Sequence, residues 1–183
     1  MGEQLSNETI SEQEVMKRNG KSSSTRKLYE IGTSRIQGRG VFAKQRIRPG
    51  QKIIEYTGDI VSNEEADRRY DEENMERHHT FLFTLDDKRC IDGDVTTNDA
   101  RLINHSCDPN CESIIEGEHI WIYALKNIQP GVELAYDYRY ERTGGKELEK
   151  FYVCHCGAAK CRGSIMLPAK RRKKKKAARK SAR

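Results

Sequence analysis

Cysteines and tyrosines are the residues of this chain whose types and spacing could do chemistry. Cys154, Cys156 and Cys161 lie within eight residues and offer three soft sulfur ligands. Structural zinc sites hold four ligands in a tetrahedron, so a fourth ligand must come from elsewhere in the chain. A disulfide is the alternative interpretation. Residues 1–20 contain no apolar secretory segment, which favours a reducing compartment and therefore a metal site.

Three other runs carry polar or aromatic side chains in unusual combinations. Residues 38–43 read Gly-Arg-Gly-Val-Phe-Ala, residues 104–110 read Asn-His-Ser-Cys-Asp-Pro-Asn, and residues 133–138 read Glu-Leu-Ala-Tyr-Asp-Tyr. Each run alone has an ordinary structural explanation, such as a loop or a half-buried tyrosine. Asp137 could be a general base or a residue that holds a loop by hydrogen bonds. Only the combination of the runs points to a functional site.

Short apolar runs separated by turn residues predict a mainly β architecture, α+β with few short helices. The strand-like runs are residues 52–56, 80–85 and 120–125, and Gly, Pro or Asp clusters lie between them. Ser62 and Glu65 form a capping-box pattern that predicts a helix through the charged residues 64–76. A second, shorter helix is expected within residues 97–103.

The charge is unevenly distributed along the 183 residues. The net charge is +6, but the segment Lys170–Arg183 contains ten Lys or Arg and no acid, which leaves −4 for the remainder. An acidic body suits a basic peptide substrate. A basic tail suits DNA, RNA or a nuclear-import receptor, or is simply a solvated end without a specific partner. No apolar run is long enough to span a bilayer.

In this order and spacing, the four runs resemble the SET-domain protein lysine methyltransferases with a post-SET zinc segment. The resemblance implies a SET-domain fold of small β-sheets around a knot-like crossing, in which the segment with Asn104 and His105 passes beneath the segment with Tyr138. It predicts a SET domain (28–140) and a post-SET zinc-binding segment (141–169). The polar composition of residues 1–27 and the charge run of residues 170–183 predict a disordered N-terminal segment and a basic disordered tail.

The same resemblance implies roles for individual residues. Tyr138 is the expected catalytic phenol, Tyr136 the switch for the degree of methylation, and Tyr56 a wall of the lysine channel or a packing residue. The fourth zinc ligand is Cys107, beside Cys154, Cys156 and Cys161. The residues implied in binding S-adenosylmethionine are Gly38, Arg39, Gly40, His79, Thr80, Arg101, Asn104 and His105.

The expected function is methyl transfer from S-adenosylmethionine to a lysine of a histone or another basic protein, with one structural zinc. The alternatives are a weakly active SET-like module that binds chromatin or nucleic acid, and a plain zinc-binding nucleic-acid protein. The second alternative leaves the tyrosine-rich and Asn-His runs unexplained. The expected location is the nucleus or chromosome of a eukaryote, or else a bacterial cytoplasm or a host cell.

The tail contains one further pattern, Lys-Ala-Ala-Arg-Lys-Ser-Ala at residues 176–182. It matches a stretch of the third core histone's N-terminal tail around a methylated lysine, although such strings also arise by chance in a basic tail. Lys180 lies about 13 residues beyond Leu167, and an extended segment of that length reaches roughly 40 Å. We therefore expect that Lys180 could be automethylated or act as a pseudosubstrate.

Overall fold

The computed structural model describes residues 27–70, 80–141 and 149–168. Within these ranges the chain forms ten strands, one complete α-helix and one 3-10 helix. The strands are β1 (Tyr29–Thr33), β2 (Arg39–Ala43), β3 (Lys52–Tyr56), β4 (Asp59–Ser62), β5 (Leu82–Thr84), β6 (Arg89–Asp92), β7 (Asn104–His105), β8 (Cys111–Glu116), β9 (His119–Ala124) and β10 (Ala135–Tyr136). The helices are α1 (Asn63–Arg69) and the 3-10 helix η1 (Asp99–Leu102).

The strands form four small sheets, which confirms the predicted mainly β architecture. Two sheets have three antiparallel strands, in the orders β3-β9-β8 and β4-β6-β5. The antiparallel pair β1-β2 and the parallel pair β10-β7 complete the set. Among the described residues no helix is long and apolar enough to cross a membrane.

The core sits under the β3-β9-β8 sheet, and β9 shows why. Ile120, Ile122 and Ala124 alternate with His119, Trp121 and Tyr123, and only the first set is buried. This period of two is the pattern of a strand with one face on the core. The sheet's buried face packs with Val41, Ile47, Ile128 and Leu134 in one cluster that also contains Tyr56 and Tyr136.

Helix α1 begins as predicted but is shorter. The Glu65 N–H donates to Ser62 Oγ at 3.2 Å, which is half of the predicted capping box. The Glu65 carboxylate instead accepts hydrogen bonds from Arg68 and Arg69. The helix ends at Arg69 because Tyr70 leaves the helical conformation, and its hydroxyl donates to Asp92 on β6 at 2.6 Å. The rest of the predicted helix, from residue 71, lies outside the described residues.

The parallel pair of β7 and β10 is the part of the fold that positions the candidate site. Asn104 lies opposite Ala135, and His105 lies opposite Tyr136. The Ser106 N–H extends the pairing by donating to the Tyr136 carbonyl at 3.1 Å. The two segments that the resemblance expected to cross are therefore hydrogen-bonded neighbours. The expected second helix forms nearby as the 3-10 turn η1.

Candidate active site

An open cleft of about 1630 Å³ lies where β5, the β7-β10 pair and residues 151–155 meet. One row of aromatic side chains lines it, with neighbouring ring centroids 5.0 to 6.1 Å apart. We call this set the aromatic row; it consists of Tyr56, Phe83, Tyr136, Tyr138, Tyr140 and Tyr152. Its rings supply an apolar wall with polar hydroxyls at defined points.

Tyr138 is fixed at both ends by hydrogen bonds. Its backbone N–H donates to His105 Nδ1 at 3.1 Å, and its hydroxyl donates to the Ile103 carbonyl at 2.8 Å. Burial is the main cause that raises the pKa of the Tyr138 phenol above its ordinary value. Electrostatic interactions with Tyr140 and Glu133 raise it further. Tyr138 therefore stays protonated near neutral pH and is suited to orienting a reactant rather than to removing a proton.

Tyr136 and Tyr56 also line the cleft but differ in what their hydroxyls do. The Tyr56 hydroxyl donates to the Phe81 carbonyl at 2.5 Å, so it is engaged inside the protein. Among the described residues no hydrogen-bond partner of the Tyr136 hydroxyl is found, and its ring packs between Phe83 and Tyr138. Burial raises the pKa of both phenols. Tyr136 thus offers the cleft a hydroxyl, whereas Tyr56 offers mainly a ring.

A second, smaller pocket of about 140 Å³ adjoins the cleft, and Tyr138 lines both. Gly38, Arg39, Arg101 and Asn104 line it, as does Phe81. The Arg101 guanidinium lies 5.1 Å from the Phe81 ring centroid and donates to Asp94 at 3.1 Å. Its Nε is buried and has no hydrogen-bond partner among the described residues. A buried donor without a partner is costly, which indicates a place for an acceptor from a bound molecule.

Asn104 holds the first residue of β2 and the Glu133 side chain, two residues before β10, together. Its amide nitrogen donates to the Arg39 carbonyl at 3.0 Å and to Glu133 Oε1 at 2.8 Å. The same carboxylate oxygen accepts from the Ser34 hydroxyl at 2.7 Å. A Cβ on Gly40 would lie 2.5 Å from this oxygen, so a larger residue would displace the Glu133 carboxylate from its bonds to Asn104 and Ser34. Unlike Gly38, Gly40 does not line the small pocket.

The remaining predicted cofactor residues fall in three different places. His105 is buried and uses both ring nitrogens inside the protein, because Nε2 lies 3.3 Å from Cys107 Sγ. Burial lowers the pKa of His105 to about 4. Thr80 lines the cleft and is hydrogen-bonded to Tyr140. His79 lies outside the described residues.

The four predicted zinc ligands come together in one cluster. The sulfur atoms of Cys107, Cys154, Cys156 and Cys161 all lie within 4.8 Å of one another. Cys107 Sγ lies 3.7 Å from Cys154 Sγ and 4.0 Å from Cys161 Sγ. A tetrahedron with zinc–sulfur bonds of about 2.3 Å requires sulfur separations of about 3.8 Å. The cluster therefore fits structural zinc in both ligand type and size.

Backbone donors around the cluster suit thiolate ligands. The N–H groups of Cys156, Arg162 and Gly163 each point at a cluster sulfur, at 3.4, 3.4 and 3.3 Å. Gly157, between Cys156 and Cys161, and Gly163, two residues after Cys161, adopt positive φ angles of 68° and 74°, which glycine tolerates in tight turns. Cys90 and Cys111 are buried elsewhere as free thiols.

Arg162 connects the cysteine-rich segment to the residue before Tyr138. Its guanidinium binds the Asp137 carboxylate in a bidentate pair at 2.6 and 2.9 Å. Burial opposes the charged form of Asp137, but the hydrogen bonds from Arg162 and the Arg139 N–H lower its pKa overall. The pair favours the structural interpretation of Asp137. The Cys-Arg-Gly run at residues 161–163 could have marked Arg162 as a functional residue, but the sequence did not indicate that Asp137 is its partner.

We expect Asp137→Asn to destabilise the protein at neutral pH by about 2 kcal/mol, because it weakens a charge-assisted bidentate pair. The pKa of Asp137 is lower when folded, so the stabilisation is present above about pH 4, the unfolded pKa, and disappears as the pH falls through the folded pKa. Thermal unfolding of both proteins from pH 7 to pH 3 measures the difference, which should shrink below about pH 4.

Asp59→Asn is the matched control for Asp137→Asn, because Asp59 is an exposed carboxylate that pairs with Arg69. It should change the unfolding temperature little at any pH. An Asp137→Asn protein of unchanged stability that loses all turnover would contradict the structural role and restore the general-base interpretation.

The SET domain family model matches residues 38–139, and the chain belongs to this family. Histone-lysine N-methyltransferase TRX1 of Oryza sativa subsp. japonica is 39% identical over 76% of this chain. Histone H3-lysine(4) N-trimethyltransferase ATX1 of Arabidopsis thaliana is 42% identical over 76% of this chain. The chain spans only 14% and 13% of the lengths of these relatives.

A solved structure also matches the fold. It is described as ctPRC2 in an autoinhibited conformation bound to S-adenosylmethionine, with a TM-score of 0.55 and 33% identity. The match covers 61% of this chain and 15% of that chain.

Proposed function

We propose that this chain is a protein-lysine N-methyltransferase that moves methyl groups from S-adenosylmethionine to a lysine of a histone or another basic protein. The observation that carries the proposal is the position of Tyr138, which lines both the small pocket and the large cleft. A methyltransferase needs a cofactor site and a lysine site that adjoin, and Tyr138 is the phenol among the residues that line both. The names of the relatives and of the matching structure support the same reaction.

The small pocket and the adjoining part of the cleft are where we place the cofactor. When bound, S-adenosylmethionine would supply a positively charged sulfonium and the methyl group, whose bond to sulfur breaks as its bond to the lysine nitrogen forms. The unpartnered Nε of Arg101 could donate to an acceptor of the cofactor. Asn104 fixes the loop that bears Gly38 and Arg39, where backbone groups are accessible. His105 can contribute only backbone atoms, since its ring is engaged.

The aromatic row is where we place the lysine side chain. An ammonium ion in an apolar channel loses hydration, and a nearby positive charge disfavours it further, so the pKa of the lysine falls. The neutral amine that the reaction needs then forms without a side-chain base, its proton leaving to solvent. The buried phenols, with raised pKa values, remain hydrogen-bonding groups throughout. Tyr138 and Tyr136 orient the nitrogen, and Tyr56 and Phe83 shape the wall.

The cysteine cluster is where we place one structural zinc. Its position beside β7 and its link to Asp137 through Arg162 attach the segment from residue 149 to the rest of the domain. The segment contributes Tyr152 and Val153 to the lining of the cleft. Zinc binding would therefore complete one wall of the lysine site.

Chromatin is the setting that the histone-methylating relatives support. The target is a basic tail, which suits the charge of −4 that the chain carries outside its own basic end. Residues 170–183, for which DNA binding was expected, lie outside the described residues, so we retain DNA binding as a proposal. Its test is titration of labelled duplex DNA with the chain and with a variant ending at residue 169, at two salt concentrations.

Transfer of labelled methyl groups from S-adenosylmethionine to separate core histones and to other basic proteins tests the proposed function. Mass spectrometry then identifies each modified lysine, including Lys180 of the chain itself. Incorporation into a defined lysine is the expected result. Cofactor binding without transfer to any basic protein would instead favour the weakly active SET-like module.

Tyr136→Phe should shift the products toward trimethylation. Tyr136 lines the cleft, and its hydroxyl has no partner among the described residues, so it can hold the lysine nitrogen or a water beside it and leave little room for added methyl groups. We therefore expect mainly mono- and dimethyllysine from the unmutated chain, although the relative with 42% identity is named as a trimethyltransferase. Mass spectra of a peptide substrate at completion measure the distribution.

The control for Tyr136→Phe is Tyr123→Phe, which removes a hydroxyl from the exposed face of β9. It should leave the product distribution unchanged. Abundant trimethyllysine from the unmutated enzyme would show that Tyr136 does not limit the product.

A further inference from the structure

His105 lies between the cysteine cluster and Tyr138 and contacts both. Its Nδ1 accepts the Tyr138 N–H at 3.1 Å, and its Nε2 lies 3.3 Å from Cys107 Sγ. The imidazole also packs edge-on against the Tyr138 ring, with centroids 5.3 Å apart. The residue is buried, with 4% of its surface exposed.

These contacts determine which ring nitrogen carries the proton. Nδ1 accepts a backbone N–H, so it cannot carry a proton itself. A neutral imidazole must then be protonated on Nε2, and that proton points at Cys107 Sγ. The arrangement has a direction: the ring donates to the sulfur at one end and accepts from Tyr138 at the other.

A second connection runs in parallel from the same sulfur. The Arg162 N–H donates to Cys107 Sγ at 3.4 Å, and the Arg162 guanidinium holds Asp137, the residue before Tyr138. Two short paths therefore join Cys107 to the backbone at Tyr138. The path through His105 has only one side chain, so it is the more direct of the two.

We propose that His105 is a positioning residue that makes the placement of Tyr138 depend on the metal bound by the cysteine cluster. A metal-bound thiolate is a stronger acceptor than a thiol, and its position is fixed by three other ligands. The thiolate holds the imidazole through Nε2, and the imidazole holds the backbone N–H of Tyr138 through Nδ1. This proposal rests on the proposed function only for its effect on turnover; the coupling between the metal and Tyr138 is independent of it.

Nitrogen NMR of the zinc-loaded chain tests the geometry without any turnover. The His105 ring should show the tautomer with its proton on Nε2. The Tyr138 amide signal, assigned among the eight tyrosines by its absence in Tyr138→Phe, should move or broaden when a chelator removes the metal. An unmoved Tyr138 amide after complete metal removal, or a proton on Nδ1, would overturn the proposal.

Two replacements of His105 separate its two contacts. The amide of Asn can accept from Tyr138 in place of Nδ1 but cannot reach Cys107, whereas the amide of Gln can reach Cys107 in place of Nε2. His105→Asn should release zinc to a chelator faster, because losing a ligand's hydrogen-bond partner typically weakens metal affinity roughly ten- to a hundredfold. His105→Gln should release zinc within a few-fold of the wild-type rate but show a displaced Tyr138 amide and lower kcat.

The exposed His119, which is bonded to Glu55 on the outer face of the sheet, provides the matched control. His119→Asn and His119→Gln should change neither zinc release nor the Tyr138 amide. If the two His105 variants had the same effect on both properties, the imidazole would be a packing residue only. If the unmutated chain transferred no methyl groups while the NMR and zinc results held, the coupling would stand and the proposed function would fail.

Discussion

Tyr138→Phe should leave the protein folded and able to bind S-adenosylmethionine within a few-fold, while methyl transfer falls by roughly a hundredfold or more. The mutation removes one hydroxyl and almost no volume, so the ring contacts with His105, Tyr136 and Tyr140 survive. The hydroxyl anchors the ring to the Ile103 carbonyl at 2.8 Å. Without it, the reacting atoms lose a polar group held in a fixed position, and small misplacements are costly.

Three measurements check this result. Calorimetric titration gives the cofactor affinity, labelled transfer gives kcat, and thermal unfolding gives the stability, which should fall by about 1 kcal/mol for the lost hydrogen bond. Tyr123→Phe, on the exposed face of β9, is the control for loss of a tyrosine hydroxyl outside the cleft. Near-normal turnover of Tyr138→Phe would show that another group positions the reactants.

Removal of zinc should abolish activity and release the segment from residue 149 onward. Structural zinc contributes on the order of 10 kcal/mol to the order of its site. In this chain the cluster joins Cys107 to three cysteines between residues 154 and 161, and hence joins the segment that lines the cleft to β7. We expect one zinc per chain by elemental analysis and, after chelation, rapid proteolysis confined to this segment with the remainder intact.

Cysteine variants make the zinc prediction specific. Cys154→Ser should lose zinc and activity together, since it removes a buried ligand. Cys90→Ser, at a buried thiol on β6 outside the cluster, should retain the full metal content and most of the activity. Fully active, carefully purified protein without zinc would rule out a structural metal at this site.

The metal site was predictable from the sequence because the chemistry of its ligands follows from residue type. The spacing of Cys154, Cys156 and Cys161 supplied three ligands, and the family resemblance supplied Cys107. Strand β9 was predictable for the same kind of reason: its apolar residues alternate with polar or aromatic ones, and the apolar set is the buried set.

What the sequence did not reveal are the partners that hold the site in place. Glu133 and Asn104 meet across 29 residues, and Ser34 reaches the same carboxylate across 99. No local pattern specifies such pairs, because they exist only once the sheets have packed. Helix α1 shows the converse: its charged sequence favoured a longer helix, but the contact of Tyr70 with Asp92 ends it early.

The parallel pair of β7 and β10 has a consequence for how the protein is made. The bonds that build the site join residues 33 to 55 positions apart: Tyr138 to His105 and Ile103, Cys107 to Cys154, and Arg162 to Cys107. Contacts between residues so far apart in the sequence form slowly, because the chain must lose the conformational entropy of the intervening loop before they form. Arg162 binds both Cys107 and Asp137, so the site is complete only after residue 162 has been synthesised. We expect nascent chains that end before Arg162 to be inactive.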